Sequence, residues 1–243
     1  MTFLLALISW IPQMLLFFWM RSRIYKEDAA FRSMCTRSLV AGFISTFGAV
    51  VVSAVLYISL MLSGLMKNAP FIGSAVYNII VLAFSEELVK FLTLKILIRI
   101  YDYQYSWISI CSFMTIIGIG FAVIENLVYA VSSNLITMLV SGITMGHAGY
   151  GYITGRFYGK SKKTGKKVYA IVGFMLTTLV HGLYDFGLDE KVLEINDDFA
   201  LISVTLALVQ LLTVISAIHF FSKQRNNELY TMPLENVRKI KER

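Results

Sequence analysis

Residues 71–98 read FIGSAVYNIIVLAFSEELVKFLTLKILI, an apolar run that is interrupted near its middle by Glu86, Glu87 and Lys90. About twenty consecutive apolar residues suffice to cross the hydrocarbon core of a bilayer as a helix, so this run predicts a membrane-spanning helix. A charged side chain at bilayer depth costs about 3 kcal/mol or more and is rarely kept there without a function. The stretch therefore predicts both the class of fold and the region in which the function resides.

The composition of the whole chain also indicates a membrane protein. Of the 243 residues, 57% are hydrophobic and 15% are charged, and the mean hydropathy is +0.68, whereas soluble domains carry about 25% charged residues. The formal net charge of +7 lies in short loops between apolar runs, which is the pattern that orients membrane proteins. We therefore expect the lipid bilayer as a partner and no nucleic acid. The two cysteines, Cys35 and Cys111, lack the spacing of a metal site and give no reason to expect a disulfide.

Seven long apolar runs predict an all-α fold, a polytopic bundle of about seven transmembrane helices. The loops alternate in charge, since residues 21–37 and 156–167 are basic and residues 189–198 are acidic. Because basic loops stay in the cytoplasm, this alternation predicts an N-terminus outside and a C-terminus inside. The predicted helices lie near residues 3–20, 38–62, 71–98, 107–131, 134–156, 168–188 and 199–221.

No internal repeat or low-complexity segment divides the chain. We expect one transmembrane domain over residues 1–221, with a motif-bearing core at 71–188. Residues 222–243 are polar and basic and are expected to form a short cytoplasmic tail. The N-terminus lacks a basic stretch before its apolar run and a cleavage site after it, so the first helix is expected to be a retained anchor.

Glu86, Glu87 and Lys90 are expected to be neighbours on the predicted helix. Glu86 and Lys90 are four residues apart, and Glu87 and Lys90 are three apart, and both spacings bring side chains together. An ion pair between Lys90 and one carboxylate lowers the cost of burial but leaves the other carboxylate in need of a partner. Two adjacent carboxylates beside one ammonium can hold their protons with different affinities, which favours a base that works near neutral pH. The alternative is a salt bridge that only locks neighbouring helices together.

Three further polar sites fall within predicted membrane helices. Glu125 precedes Asn126 and follows two glycines that permit close helix approach. His147 lies between pairs of glycines at a four-residue spacing, which favours a tightly packed helix with the imidazole inside the bundle. His181 and Asp185 are four residues apart, a spacing that suits a histidine with its partner carboxylate or two ligands of one metal. Each of these sites, taken alone, can also be an ordinary buried hydrogen-bonded residue.

Depth along the predicted helices permits one shared site. At about 1.5 Å per residue, His147 and His181 fall near the middle of the membrane, and Glu86 falls within a turn or two of that plane. Glu125 and Asp185 fall in the outer half. The depths are compatible with a single site that is displaced toward the outer leaflet.

In their order along the chain, these four elements resemble the motifs of the PrsW family of intramembrane proteases, part of the wider group that contains type II CAAX prenyl endopeptidases. The family pattern is Glu-Glu-x-x-Lys, Phe-x-x-x-Glu, an isolated intramembrane His, and His-x-x-x-Asp. The resemblance covers the third to the sixth predicted helices. The CAAX endopeptidase branch typically has Glu-Glu-x-x-x-Arg and Phe-x-x-x-His, and both differ here, so a prenylated substrate is not expected. The matching residues are Glu86 to Lys90, Phe121 to Glu125, His147, and His181 to Asp185.

The resemblance implies an intramembrane endopeptidase that hydrolyses peptide bonds within or beside the bilayer. Its expected substrates are single-span membrane proteins such as anti-sigma factors, cut as the opening step of regulated proteolysis. Its expected location is the cell membrane, and by analogy a bacterial inner membrane. Glu86 is expected to act as the general base that activates a water, with Glu87 and Lys90 adjusting its proton affinity.

The resemblance leaves the roles of the other polar residues open between two mechanisms. His147 and His181 are expected either to stabilise the oxyanion or to bind a metal, and Asp185 is expected to orient His181. Glu125 is expected to be a second acid or base, or a ligand. A divalent metal such as zinc is therefore a candidate cofactor, and a glutamate-dependent mechanism without metal is the alternative.

A different class of function is an ion- or proton-coupled transporter, whose relay would also use buried Glu, His and Asp side chains. Transporters of this kind favour paired halves with broken helices at matching positions. The polar residues of this chain instead lie in four consecutive predicted helices, which favours the protease.

Overall fold

A computed structural model describes residues 2–24, 29–101, 106–131 and 135–224. Within these ranges the chain forms helices and short turns and no strand, which confirms the predicted all-α class. Among the described residues, four helices are long and apolar enough to cross a membrane, which agrees with a polytopic membrane protein. The predicted connection at 132–134 and residues 225–243 of the predicted tail lie outside the described residues. The four spans are Ala29–Leu62, Trp107–Val131, Val168–Phe186 and Asp197–Lys223.

Most helices follow one another through short connections. A π-helical segment, Tyr77–Ala83, and a 3-10 turn, Asp197–Phe199, occur within the series of α-helices. The α-helices are α1 (Thr2–Arg23), α2 (Ala29–Leu62), α3 (Leu65–Asn68), α4 (Pro70–Val76), α5 (Phe84–Ile100), α6 (Trp107–Val131), α7 (Leu135–Thr144), α8 (Gly146–Thr164), α9 (Val168–Phe186), α10 (Glu190–Leu193) and α11 (Ala200–Gln224).

The helix predicted at 71–98 is present, and the chain is helical without a break from Pro70 to Ile100. Proline starts it at a position whose missing N–H needs no partner. Its middle, Tyr77–Ala83, is wound as a π-helix, in which hydrogen bonds span five residues instead of four. Such turns are rare and frequently mark functional sites. This one ends just before Glu86 and Glu87.

The prediction of one continuous helix at 134–156 is wrong. The chain breaks at Met145, whose φ of 50° lies in the left-handed region, so α7 ends at Thr144 and α8 begins at Gly146. Space is tight beside the break, because a methyl group on Gly146 would lie 2.9 Å from the side-chain oxygen of Gln210 in α11. The break places His147 in the first turn of α8.

Helices α6 and α8 pack backbone to backbone along a row of glycines. A methyl group on Gly151 would overlap the carbonyl of Met114, and one on Gly155 would lie 2.8 Å from the Cα of Cys111. The role predicted for this four-residue spacing, close helix packing, is therefore confirmed. On the other helix, a methyl group on Gly118 would overlap the backbone of His147. The packing therefore brings α6 against the residue at the start of α8.

The outer faces of the bundle are apolar. In α2, Phe47 is 66% exposed and Val51 is 65% exposed, and α9 and α11 carry similar exposed aliphatic side chains. Soluble proteins rarely expose continuous apolar surfaces of this kind, whereas lipid covers them in a membrane. In contrast, α6 is buried along most of its length and forms the centre of the bundle.

Candidate active site

Lys90 is paired with Glu87 at the centre of the bundle. Both side chains are 1% exposed, and Nζ of Lys90 donates a hydrogen bond to Oε1 of Glu87 over 2.7 Å. The ammonium also lies 4.3 Å from the centre of the Phe121 ring. Oε2 of Glu86 is 4.0 Å from Nζ, which is too long for a hydrogen bond. The ion pair predicted from the spacing therefore forms with Glu87, and Glu86 is the carboxylate that is left over.

His147 is held from both sides of its ring. Nζ of Lys90 lies 2.8 Å from Nδ1, and Oε2 of Glu125 lies 2.5 Å from Nε2. Because an ammonium group has no acceptor, Nδ1 must accept and the ring proton resides on Nε2, which donates to Glu125. Oε1 of the same carboxylate accepts a hydrogen bond of 3.0 Å from the hydroxyl of Tyr129, one turn further along α6. Glu125 is thereby fixed by two donors.

His181 is held by carboxylates on both nitrogens. Nδ1 lies 3.1 Å from Oε1 of Glu87, and Nε2 lies 3.3 Å from Oδ2 of Asp185. Oε2 of Glu86 lies 3.8 Å from the same Nε2. The ring also stacks on that of Tyr150, with centroids 4.8 Å apart. The orientation of this imidazole is thus set by Glu87 and Tyr150 as well as by the predicted partner Asp185.

A close contact also brings α9 next to the helix that carries Glu86 and Glu87. A methyl group on Gly182 would lie 2.6 Å from the Cα of Ile79 and 3.1 Å from the carbonyl oxygen of Asn78, both in the π-helical segment. Only glycine fits next to His181 at this crossing. Because Gly182 allows this close approach, the adjacent His181 can reach Glu86 and Glu87, which lie in α5 just after the π-helical segment.

All six residues predicted as catalytic meet in one cluster. Contacts run from Glu87 through Lys90 to His147 and Glu125, and from Glu87 through His181 to Asp185 and Glu86. The two imidazole rings lie 5.0 Å apart. A single shared site therefore exists in the described part of the chain.

A cleft of about 570 Å³ leads to the cluster. Glu86, Glu125 and Asp185 form its polar wall. Nδ2 of Asn78 donates a hydrogen bond of 2.8 Å to Oδ2 of Asp189, which joins the π-helical segment to the α9–α10 turn at the cleft. The remaining lining residues include Tyr57, Met66, Tyr77, Leu82, Tyr129, Leu188, Glu190 and Lys191. The cleft has room for water and for an extended peptide segment beside the carboxylates.

A smaller space of about 20 Å³ lies deeper, next to Glu125, His147, His181 and Asp185. A space of this size suffices for one water molecule or one ion, and polar side chains line much of it. Both histidines thus share a small space with two of the carboxylates that also line the cleft, Glu125 and Asp185.

The cluster fits a divalent metal ion. Glu86, His147 and His181 each offer a ligand atom, and the three atoms lie within 4.8 Å of one another. Oε2 of Glu86 is buried and accepts no hydrogen bond from the described residues, a costly state unless a cation or proton compensates it. Carboxylate oxygens and imidazole nitrogens are common zinc ligands. His147 can join such a set through Nε2 only by releasing Glu125, since Lys90 occupies Nδ1.

Several residues of the site belong to none of the motifs found in the sequence. Tyr150 stacks on His181 and accepts a short hydrogen bond from Gln210 of α11. The position of Tyr129 could have been found from the sequence, because it lies one helical turn after Glu125. Gln210 could have been flagged as a polar residue in an apolar helix. Asn126, which is adjacent to Glu125, is fully buried and makes no side-chain hydrogen bond with the described residues.

Comparisons with known proteins agree with this geometry. A family model described as PrsW family intramembrane metalloprotease matches residues 34–216, more than half of the chain. "Protease PrsW" of Shouchella clausii (strain KSM-K16) is 35% identical over 74 residues, which cover 29% of this chain and 34% of that protein. The aligned part thus spans about a third of the length of this relative. No solved structure matches the chain.

Proposed function

Because the chain belongs to the PrsW family of intramembrane metalloproteases, we propose that it is an endopeptidase that hydrolyses peptide bonds of membrane-anchored proteins. The observation that carries this proposal is that the ligand atoms of Glu86, His147 and His181 lie within 4.8 Å of one another, while Glu86 also lines a cleft that a peptide can enter. Glu125 and Asp185 lie on the same wall, so acid–base groups stand next to the candidate metal ligands. Membrane location follows from the family and the apolar helices; a bacterial inner membrane is part of the proposal.

The proposed topology has seven membrane helices in one domain over residues 1–221, with the N-terminus outside and the C-terminus inside. The four apolar spans would be joined by α1, by the helix from Pro70 to Ile100, and by the broken pair α7 and α8. The basic residues at the end of α8 and the acidic α9–α10 turn support this orientation through the positive-inside rule. The cleft, which is lined by Asp189 and Glu190, then opens toward the outside.

A divalent metal ion would be held by Glu86, His147 and His181. Such an ion supplies Lewis-acid polarisation of the scissile carbonyl and lowers the proton affinity of a bound water. The sequence favoured Glu86 as the general base, but its unpartnered Oε2 is better suited to binding the cation. Glu87 then has a supporting role, since it orients His181 through Nδ1 and neutralises Lys90.

Glu125 is the residue best placed to move protons. Its carboxylate borders both the cleft and the small inner space, and the hydroxyl of Tyr129 donates to its Oε1. Its Oε2, which contacts Nε2 of His147 in this structure, would be released when that nitrogen binds the metal. We assign it the removal of a proton from the attacking water and the return of that proton to the leaving amine. Asp185, on the opposite side of the same space, is a further proton acceptor or ligand next to Nε2 of His181.

The proposed substrates are single-span membrane proteins, with anti-sigma factors as the class that the family resemblance suggests. A cleft of this size fits one extended strand and not a folded domain. A single transmembrane segment that unwinds at its outer end would supply such a strand. Cleavage is therefore expected near the outer end of the substrate's membrane segment.

The function is tested by profiling new protein N-termini in membranes of cells that express either the wild type or Glu86→Gln at equal levels. New termini next to transmembrane segments, found only with the wild type, would support the proposal and identify the substrate. Identical profiles in cells that contain many single-span proteins, with both proteins folded, would count against a protease and would lead to a test of proton flux.

A further inference from the structure

A second cavity, of about 400 Å³, lies at the far end of α8 from His147. Its walls are formed by Trp107, Arg156, Phe157, Lys160, Lys163 and Thr164. The three basic residues are spaced by four and three positions, which places them on one face of the helix. The cavity is thus lined by three cations and by two aromatic rings.

Within the described part of the chain, no carboxylate neutralises the cations of this cavity. No carboxylate of the described residues forms an ion pair with Arg156, Lys160 or Lys163, because every ion pair found there belongs to the catalytic cluster. Arg156 uses one of its donors on the hydroxyl of Tyr152, over 2.7 Å. An arginine has five N–H donors, and the described residues show a partner for one of them, so further donors are available to an anion.

Aromatic side chains hold two of these cations in place. The guanidinium of Arg156 lies 5.1 Å from the centre of the Phe220 ring, and Nζ of Lys160 lies 4.2 Å from that of Tyr169. Such contacts limit the rotamers of long basic side chains. The positive charge is therefore fixed around the cavity before any ligand arrives.

The cavity lies at the depth of lipid headgroups in the proposed topology. Arg156 and Lys163 follow His147 by nine and sixteen residues, or about 13 and 24 Å along the helix. Half of the hydrocarbon core measures about 15 Å, so a site near mid-membrane puts this cavity at the inner interface. Trp107 at its edge is a residue type that is enriched at that level.

We propose that this cavity binds the headgroup of an anionic phospholipid of the inner leaflet, with the phosphate between Arg156, Lys160 and Lys163. Three unpaired cations complement the phosphodiester, and basic pockets between membrane helices are suited to such headgroups. The aromatic walls, Trp107 and Phe157, contact the glycerol and the upper acyl chain. The site is separate from the catalytic cluster, at the other end of the same helix, and does not depend on the hydrolytic activity.

The test is native mass spectrometry of the purified full chain in detergent, with phosphatidylglycerol or phosphatidylcholine added at equal concentrations. The wild type should retain phosphatidylglycerol at least about tenfold better than phosphatidylcholine. The variant Arg156→Gln/Lys160→Gln/Lys163→Gln should lose that preference. Because Arg156 also bonds to Tyr152, the double variant Lys160→Gln/Lys163→Gln, at two exposed positions, repeats the test without disturbing that hydrogen bond and should lose at least about fivefold.

The matched control is Lys162→Gln/Lys166→Gln/Lys167→Gln, which removes the same charge from the same region but from residues that do not line the cavity. It should retain the lipid preference within about twofold. Equal losses in the two triple variants would overturn the proposal in favour of diffuse charge attraction. Absence of a preference in the wild type, or displacement of the lipid by 10 mM inorganic phosphate, would also overturn it, the latter in favour of a soluble anion.

Discussion

Lys90 donates a hydrogen bond of 2.8 Å to Nδ1 of His147, although the two residues lie 57 positions apart in the chain. The same ammonium is paired with Glu87, which in turn contacts Nδ1 of His181. A single buried cation thus joins the acidic pair to both histidines. The lysine of the Glu-Glu-x-x-Lys motif therefore organises the site and does more than neutralise the nearest carboxylate.

Glu86 and Glu87 should respond differently to the same substitution. Glu87→Gln removes the partner of a buried ammonium and should lower the free energy of unfolding by about 3–5 kcal/mol. With the metal removed from both proteins by a chelator, Glu86→Gln removes no hydrogen bond made within the described residues and should leave the melting temperature within about 3 °C of the wild type. Thermal unfolding of the two variants in the same detergent measures this contrast. Equal loss of stability would mean that Lys90 is shared between the two carboxylates.

Glu125→Gln should separate proton transfer from metal binding. Glutamine keeps an acceptor for Tyr129 and leaves the three candidate ligands, Glu86, His147 and His181, unchanged, so the bound metal should remain. Loss of the base should reduce kcat by about 10²-fold or more. The corresponding measurements are the cleavage rate and the metal content of the purified protein. A variant that loses metal and activity together would make Glu125 a ligand.

Tyr129→Phe tests the orientation of Glu125 and leaves its carboxylate in place. It removes the 3.0 Å hydrogen bond to Oε1 of Glu125 and leaves the ring in place. If losing this hydrogen bond raises the activation free energy by about 1 kcal/mol, kcat should decrease roughly fivefold. KM should not change, because the hydroxyl acts on the carboxylate. An unchanged kcat would show that the hydrogen bond from Tyr129 is not needed to orient Glu125.

Substitution by alanine should have different effects on stability at two glycines of α8 that are only two residues apart. Gly151→Ala forces a methyl group into the carbonyl of Met114 and should destabilise the protein by about 1–3 kcal/mol. At Gly149 the nearest atoms would lie at 3.5 Å, an ordinary contact, so alanine should be neutral or slightly stabilising in the helix. Melting temperatures of the two variants test the close packing of α6 on α8. A tolerated Gly151→Ala would contradict that packing.

Much of the site was predictable because its charged and polar residues lie in otherwise apolar helices. Glu86, Glu125, His147 and Asp185 stand out in apolar runs, where a charged or polar side chain is costly, and their order along the chain carries the family pattern. The helical spacing also predicted that Lys90 would pair with one glutamate and leave the other unpaired. It could not indicate which one, since both spacings bring side chains into contact, and the contacts of Lys90 with His147 and of Glu87 with His181 arise only in the folded bundle.

The irregular backbone could not be predicted in the same way. The π-helical segment Tyr77–Ala83 contains neither proline nor glycine that would mark it in the sequence, and Gly182 of α9 packs closely against it. The break at Met145 lies within an apolar run that reads as one helix, and the tight contact of Gly146 with Gln210 arises only in the folded bundle. At both places the backbone lies against residues that are distant in the sequence, and a local pattern carries no information on such contacts.

The most direct test of the proposed site is the cleavage rate of the substrate found by N-terminal profiling, measured with purified protein in proteoliposomes. Wild type, Glu86→Gln and the control Glu190→Gln, whose side chain is exposed at the cleft mouth, are compared at equal amounts with and without a metal chelator. We predict cleavage by the wild type and the control, loss of cleavage with the chelator, and none above background with Glu86→Gln. Cleavage by Glu86→Gln at the wild-type rate would contradict the assignment of this cluster as the active site.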